Sequence, residues 1–320
     1  MCEISRARRE NIKSVKSLAL NYANILGVEP FHHDRFCATG MRSSVLNAVT
    51  NRLAGIVRLH NGRRFADRSG PPPTPELVLF EYEASPYCRR VRETLCVLEL
   101  QALIKPCPRE TLQLEGAYSA EAKHKPEVHR EHKGRLLFPF LVDKTAGISL
   151  NESGAIVDHL WRLYSDNVIE RPFVDKLLNG GSLPRPIDFA LLAGPSGLRP
   201  WPSAGLLLAP GSSTASAPLV LSGNEHDQGT RLVRERLCEL QLPYFSIPVE
   251  SASQRPLPHL KDPTAGFACF GAAQALRHLD ETYRSRPTLG YAAPVPVPNL
   301  GDPDRTSWLT HVVSRLPKWL

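Results

Sequence analysis

Ser85-Pro86-Tyr87-Cys88-Arg89-Arg90 places a hydroxyl, a phenol, a thiol and two guanidinium groups in six consecutive positions. Proline at a helix start and the three-position step from Ser85 to Cys88 put both groups at one helix N-terminus. Free N–H groups and the helix dipole favour negative charge there. Cys88 could work as a single thiolate, stabilised by that terminus and by Arg89, or it could be a small buried residue of the first turn. No CxxC pair occurs, which excludes a zinc ribbon and a dithiol relay. Phe138-Pro139 adds a second feature. A cis bond at a strand start would turn a main-chain amide and carbonyl toward an incoming ligand.

The elements that must position these groups occur twice. Residues 77–100, LVLFEYEASPYCRRVRETLCVLEL, match residues 219–242, LVLSGNEHDQGTRLVRERLCELQL, without a gap, and half of the 24 positions are identical. A second block follows in each copy: 138–147 pairs with 257–266, and helix-like runs follow at 155–164 and 273–283. Leu77–Tyr82 reads as a buried strand. Val91, Leu95, Cys96 and Leu98 give the following helix an apolar face, with Arg89, Arg90, Arg92 and Glu93 opposite. Leu103–Lys105 is a second strand, stopped by Pro106-Cys107-Pro108, and residues 116–132 form a polar surface helix. Leu136–Val142, a turn at Lys144–Gly147, a short strand at Ile148–Leu150 and a helix over Glu152–Tyr164 complete a βαβ-ββα unit.

The rest of the chain bounds the problem. Composition is that of a globular protein, 42% hydrophobic and 22% charged, with 29 clustered prolines and a formal charge of +7. The basic residues are scattered and no nucleic-acid motif appears, so nucleic acid is not an expected partner. Seven sparse cysteines argue for a reducing compartment and against a disulfide scaffold. No apolar run approaches the ~20 residues of a bilayer span.

Between Arg35 and Ala66 there is no acidic residue, while Val45, Val49, Leu53 and Val57 fall at helical spacing. This reads either as an organelle leader or as a helix docking on the first domain, and Met41 offers a second start. The expected localisation is cytoplasmic, or plastid or mitochondrial if the segment is a leader. The expected organisation is 1–76 as leader or docking helix plus a Pro-rich linker, 77–165 as the first domain, 166–218 as a Pro/Gly/Ser-rich linker, 219–285 as a degenerate second domain and 286–320 as a Pro-rich tail.

The strand, the Ser-Pro-Tyr-Cys helix start, Phe-Pro before a strand and Asn-Glu-Ser before the last helix together resemble the N-terminal domain of glutathione S-transferases and glutaredoxins. The tandem arrangement is similar to proteins with two such domains in one chain. The resemblance implies an α/β fold of two thioredoxin-like (βαβ-ββα) domains in tandem, the first intact and the second degenerate. It also implies glutathione, or another thiol substrate, as ligand, and no metal.

Residue by residue, the resemblance gives Ser85 the role of hydrogen-bonding the glutathione thiolate, with Cys88 as the alternative catalytic group. Tyr87, Arg89, Phe138 and Pro139 line the site, and Glu152 with Ser153 receive the γ-glutamyl end, or simply cap the helix. In the second copy Asp227, Gln228, Gly229 and Thr230 replace residues 85–88, and Gly271-Ala272 replaces Glu152-Ser153. That copy reads as a structural module or a surface for a protein partner. Two functions remain open: a glutathione-dependent thiol transferase or reductase, and a non-catalytic glutathione-sensing or interaction scaffold.

Overall fold

The computed structural model describes residues 44–62, 65–68, 70–109, 123–124, 127–128, 137–165, 170–197, 205, 208–209, 212–250 and 256–284. All belong to one of the chain's two compact units. Residues 1–43 of the expected leader or docking segment, most of the surface helix expected over 116–132 and the tail 286–320 lie outside the described residues.

After α1 (Ser44–Val57) the first half runs β1 (Leu77–Glu81), α2 (Pro86–Val97), β2 (Ala102–Pro106), β3 (Phe140–Asp143), β4 (Ile148–Asn151) and α3 (Ser153–Tyr164). Two helices follow, α4 (Phe173–Asn179) and α5 (Arg185–Gly197). The second half repeats the plan: β5 (Leu219–Gly223), α6 (Gln228–Glu239), β6 (Tyr244–Pro248), β7 (His259–Asp262), β8 (Phe267–Phe270) and α7 (Ala272–Tyr283). The expected βαβ-ββα order holds in both.

Local chemistry explains the boundaries. All five residues of β1 are buried, and its first four form a continuous apolar run rather than an alternating pattern. Ser85 caps α2 and Pro86 opens it with a preset φ. In the β3–β4 hairpin Asp143 Oδ1 accepts the Ala146 N–H, and Gly147 supplies the positive φ the turn needs. Asp143 Oδ2 meets His159 Nε2 at 2.8 Å and accepts the Tyr164 hydroxyl at 2.6 Å. Asp262, His278 and Tyr283 repeat this cluster at 2.8 and 2.7 Å. It survives in the copy that lost the other motifs, so it belongs to the fold rather than to a site.

The two halves are not beads on a linker. They form one eight-stranded sheet in the order β4-β3-β1-β2-β6-β5-β7-β8. Within each half the first two strands are parallel, and the halves join where β2 pairs antiparallel with β6, Leu103 opposite Phe245. Each of these would otherwise be an exposed edge, and pairing satisfies both.

Across the same boundary lies a buried charge cluster with twofold character. Arg92 bonds Glu81 and lies 3.3 Å from both Glu83 and Glu225, while Arg234 lies 3.0 Å from Glu83 and 2.9 Å from Glu225. Arg92 and Arg234 are equivalent positions of the repeat, as are Glu83 and Glu225. Burial opposes ionisation of Glu225, but Arg234, Arg92, Arg231 and Arg89 hold it down at about 2. Burial pushes Glu81 up to about 7 against the pull of Arg92. The segments leading into each half reach under the opposite glutamate: a Cβ on Gly62 would lie 3.0 Å from the Glu225 side chain, and one on Gly205 2.7 Å from that of Glu83. The Cys96 and Cys238 thiols donate to the carbonyls of these glycines at 3.1 and 3.2 Å.

Two sequence expectations change here. Residues 166–218 are not a plain linker, because α4 and α5 pack on α2: Arg90 pairs with Asp188 on α5 at 2.5 Å. Of the apolar stripe expected on α1, Val57 is half-buried beside Gly194 of α5, but Leu53 faces solvent. Leu53 and Ile56 are exposed, whereas Arg58, just past the helix, is buried with its guanidinium on Glu93 and Asn179. Asn61, Asp175, Trp161 and Arg171 extend that network, which pins α1, α2, α3 and α4 together.

Candidate functional site

Phe80, Phe140 and Asn151 stand in register across β1, β3 and β4. The segments leaving these strand ends therefore open at one end of the sheet: Tyr82–Ser85 after β1, Phe138-Pro139 before β3 and Glu152-Ser153 after β4. The Phe138–Pro139 bond is cis, as is Leu257–Pro258. The topology thus gathers the residues that the sequence scatters over seventy positions.

Ser85 sits at the N-cap of α2, 1% exposed, and its Oγ accepts the Cys88 N–H at 3.3 Å. Its side chain also meets the Tyr82 hydroxyl and the Cys88 thiol. Tyr82 is the group that sequence reasoning missed. Its ring stands edge-on to Phe138, centroids 6.4 Å apart, so it spans from the helix terminus to the cis-proline segment. Burial first, and Cys88 next, raise its pKa, with Arg109 and Ser85 opposing. Tyr82 is therefore a protonated donor at neutral pH. The available signal was a phenol at the carboxyl end of a buried strand, directly against a helix N-terminus.

Two expected site residues take other roles. Cys88 is fully enclosed, and burial, followed by the Glu81 charge, pushes its thiol up to about 12. A thiol so raised holds almost no thiolate at neutral pH, so the helix terminus does not make it a nucleophile. Arg89 points into the boundary between the halves, 3.9 Å from Glu225, rather than to the site. Burial, then repulsion from Arg231, brings its pKa down to about 9. Tyr87 lies on the surface of the α2 terminus.

Glu152 precedes α3 with φ +73° and ψ 112°, and its exposed side chain makes no capping bond. Side chains avoid this region at a cost of about 1–3 kcal/mol. Ser153, the first residue of α3, is buried. The same strand-to-helix step in the second half is Gly271, φ +86° and ψ 149°. The backbone turns alike in both halves, yet only the second uses the residue that does so without strain.

Residues 79–168 match the family model of the glutathione S-transferase N-terminal domain. The match runs from β1 through α3 and supports a thioredoxin-like domain of that type in the first half. No curated protein and no solved structure matches the chain.

Against this domain the second half shows how a site closes. Asp227 replaces Ser85, and its carboxylate accepts both the N–H and the hydroxyl of Thr230 at 2.6 Å. An internal anion thus occupies the helix N-terminus. Asn224, in the place of Tyr82, accepts the Asp227 N–H at 2.7 Å and donates to the Val249 carbonyl at 3.1 Å. A Cβ on Gly229 would come within 2.9 Å of Pro258 Cδ, so the first turn of α6 lies directly on the proline. The first half keeps Ser85 and Tyr82 there instead, with Glu152 and Ser153 after β4. Among the described residues no group of three or more His, Cys, Asp or Glu could hold a metal, and no helix is long and apolar enough to cross a membrane.

Proposed function

We propose that the first half binds glutathione and activates its thiol through hydroxyl groups rather than through a cysteine of its own. The γ-glutamyl amino group pairs with the Glu152 carboxylate, and the γ-glutamyl carboxylate lies on Ser153 and the α3 N–H groups. The sulfur lies before α2, where Ser85 and the protonated Tyr82 can each donate to a thiolate. Those donors and the helix dipole favour the anion and lower the pKa of the bound thiol from the ordinary ~8.5. The thiol proton leaves to solvent. The sulfur then attacks an electrophilic carbon, expelling that carbon's leaving group as an anion, or a disulfide sulfur, forming a mixed disulfide and releasing the other sulfur as a thiolate. The enclosed Cys88 makes glutathione itself the nucleophile in either case.

One observation carries this reading: a strained glutamate at 152 where the sister copy has glycine at 271. Strain retained at one of two equivalent positions points to work done by that side chain. A second reading, a glutathione-binding module without turnover, draws on the tight enclosure of Ser85 and Ser153, 1% and 5% exposed.

Conjugation of glutathione to an aromatic electrophile, followed by absorbance alongside a glutathione-binding isotherm, separates the two. The catalytic reading expects turnover that falls about 10²-fold in Ser85→Ala or Tyr82→Phe with the fold intact. Binding without turnover in the wild type gives the second reading, and no binding removes both.

A further inference from the structure

The buried charge cluster between the halves keeps its twofold pattern except at one place. In the repeat Arg92 answers Arg234, Glu83 answers Glu225, and Glu81 answers Gly223. The contacts follow the same pattern. Arg92 Nε lies 3.3 Å from Glu225, and Arg234 Nε lies 3.0 Å from Glu83. Arg92 Nη2 lies 3.3 Å from Glu83, and Arg234 Nη2 lies 2.9 Å from Glu225. The third nitrogen breaks it. Arg92 Nη1 donates to the Glu81 carboxylate, whereas the residue that would answer Arg234 Nη1 is Gly223, which has no side chain. Four arginines, Arg89, Arg92, Arg231 and Arg234, thus share three carboxylates, Glu81, Glu83 and Glu225, and all seven residues are buried.

The place of the fourth carboxylate is a cavity. Arg92, Gly223, Glu225, Thr230, Arg234 and Ser246 are among its lining, and it has room for about one or two waters. A Cβ on Gly223 would collide with Thr230, which stands where the first half has Cys88, so this position cannot carry a carboxylate of its own. The Thr230 hydroxyl is already committed to Asp227. Ser246 is the new donor, because it replaces Ile104 of the first half. The second half has therefore lost an internal anion and gained a hydroxyl around the same space. Glu225, the acid in the lining, is itself bonded by Arg92 and Arg234.

We propose that this cavity binds a small carboxylate monoanion of one or two carbons, in the place that Glu81 fills in the first half. Arg234 Nη1 and the Ser246 hydroxyl donate to it. The excess of arginine over glutamate supplies the field that draws it in. The bound anion completes the boundary between the halves, so the joined sheet is more stable with it than without it.

Thermal unfolding of the full chain in sodium formate, against sodium gluconate at equal ionic strength, tests this, since gluconate is too large for the cavity. A saturable rise of the midpoint is expected, reaching about 3–6 °C at ten times Kd. Ser246→Ile, which takes the first half's residue into the lining, must weaken the response at least about tenfold in apparent Kd. Gly223→Glu combined with Thr230→Cys gives the second half the pair found at 81 and 88, and must abolish the response; if this variant does not fold, Ser246→Ile alone decides. Ser153→Ala must leave the response unchanged, which separates the cavity from carboxylate binding at the start of α3. No formate-specific rise in the wild type overturns the proposal, and so does a rise that Ser246→Ile leaves intact or that Ser153→Ala removes.

Discussion

Replacing Glu152 with glycine is expected to stabilise the protein while weakening its ligand. At φ +73° a side chain costs about 1–3 kcal/mol, and glycine avoids that cost but loses about 0.5–1 kcal/mol of chain entropy on folding. The net gain is about 0.5–2 kcal/mol. In an ordered unit of this size each kcal/mol raises the melting temperature by about 2–4 °C. Space is no obstacle, because the equivalent Gly271 already takes this geometry. The lost carboxylate removes a charged hydrogen bond of about 1.5–3 kcal/mol, which weakens glutathione binding about 10- to 100-fold. Glu152→Gln separates the two effects: it keeps the strain and removes the charge, so stability stays put while affinity falls. Denaturant unfolding and calorimetric titration on the three proteins read both quantities. A Glu152→Gly protein that is less stable than the wild type, or more stable with affinity unchanged, refutes the argument that this residue is strained for the sake of the ligand.

Other consequences follow from burial and charge. Cys88, Cys96, Cys107, Cys238 and Cys269 are all buried and free; a maleimide followed by mass spectrometry is expected to label none of them until the protein unfolds, and rapid labelling of Cys88 would restore it as a nucleophile. Glu225→Gln leaves buried arginines short of a partner and is expected to cost about 3–5 kcal/mol at neutral pH. Glu225 is held at about 2 in the fold against an ordinary 4.5. The stability it contributes is therefore present above pH 4.5 and lost as pH falls toward 2, and urea titrations should show this acid limb flattened in the variant. Fragments ending at 200 and beginning at 201 are expected to be poorly folded alone and to recover the native circular dichroism when mixed, since β2, β6 and the charge cluster need each other. Full native spectra from the separate fragments would contradict that dependence.

Much of the fold was legible because the repeat compared the sequence with itself. Two aligned blocks fixed the βαβ-ββα order, and the Leu/Phe-Pro segments marked the starts of β3 and β7. The joining of the halves was not legible. Arg89 and Arg92 read as the polar side of an amphipathic helix, yet both are buried, as are Glu83 and the identical partners Arg231, Arg234 and Glu225 of the second copy. A charged residue repeated at an equivalent position can mean a boundary between copies, because an Arg of each copy can then answer a Glu of the other. Helices α4 and α5 were hidden by prolines: Pro184 precedes α5 and Pro195 lies inside it.

At the site, spacing gave Ser85, Pro139, Glu152 and Ser153 their positions on the correct strand and helix ends. It could not give depth. Cys88 looked reactive because it stands in the first turn of a helix, and only the packing around it shows that burial outweighs the dipole. Tyr82 escaped notice because it ends a strand and belongs to no familiar motif. The strain at Glu152 lies in the backbone, although the Glu152/Gly271 exchange was already visible.

The central claim is one glutathione site per chain, in the first half. Calorimetric titration of the full chain with glutathione tests it most directly. The account predicts a single site, lost when Glu152→Gln and Ser153→Ala are combined and unaffected by Asp227→Asn in the second half. A stoichiometry of two, no binding, or full affinity in the double variant would contradict it.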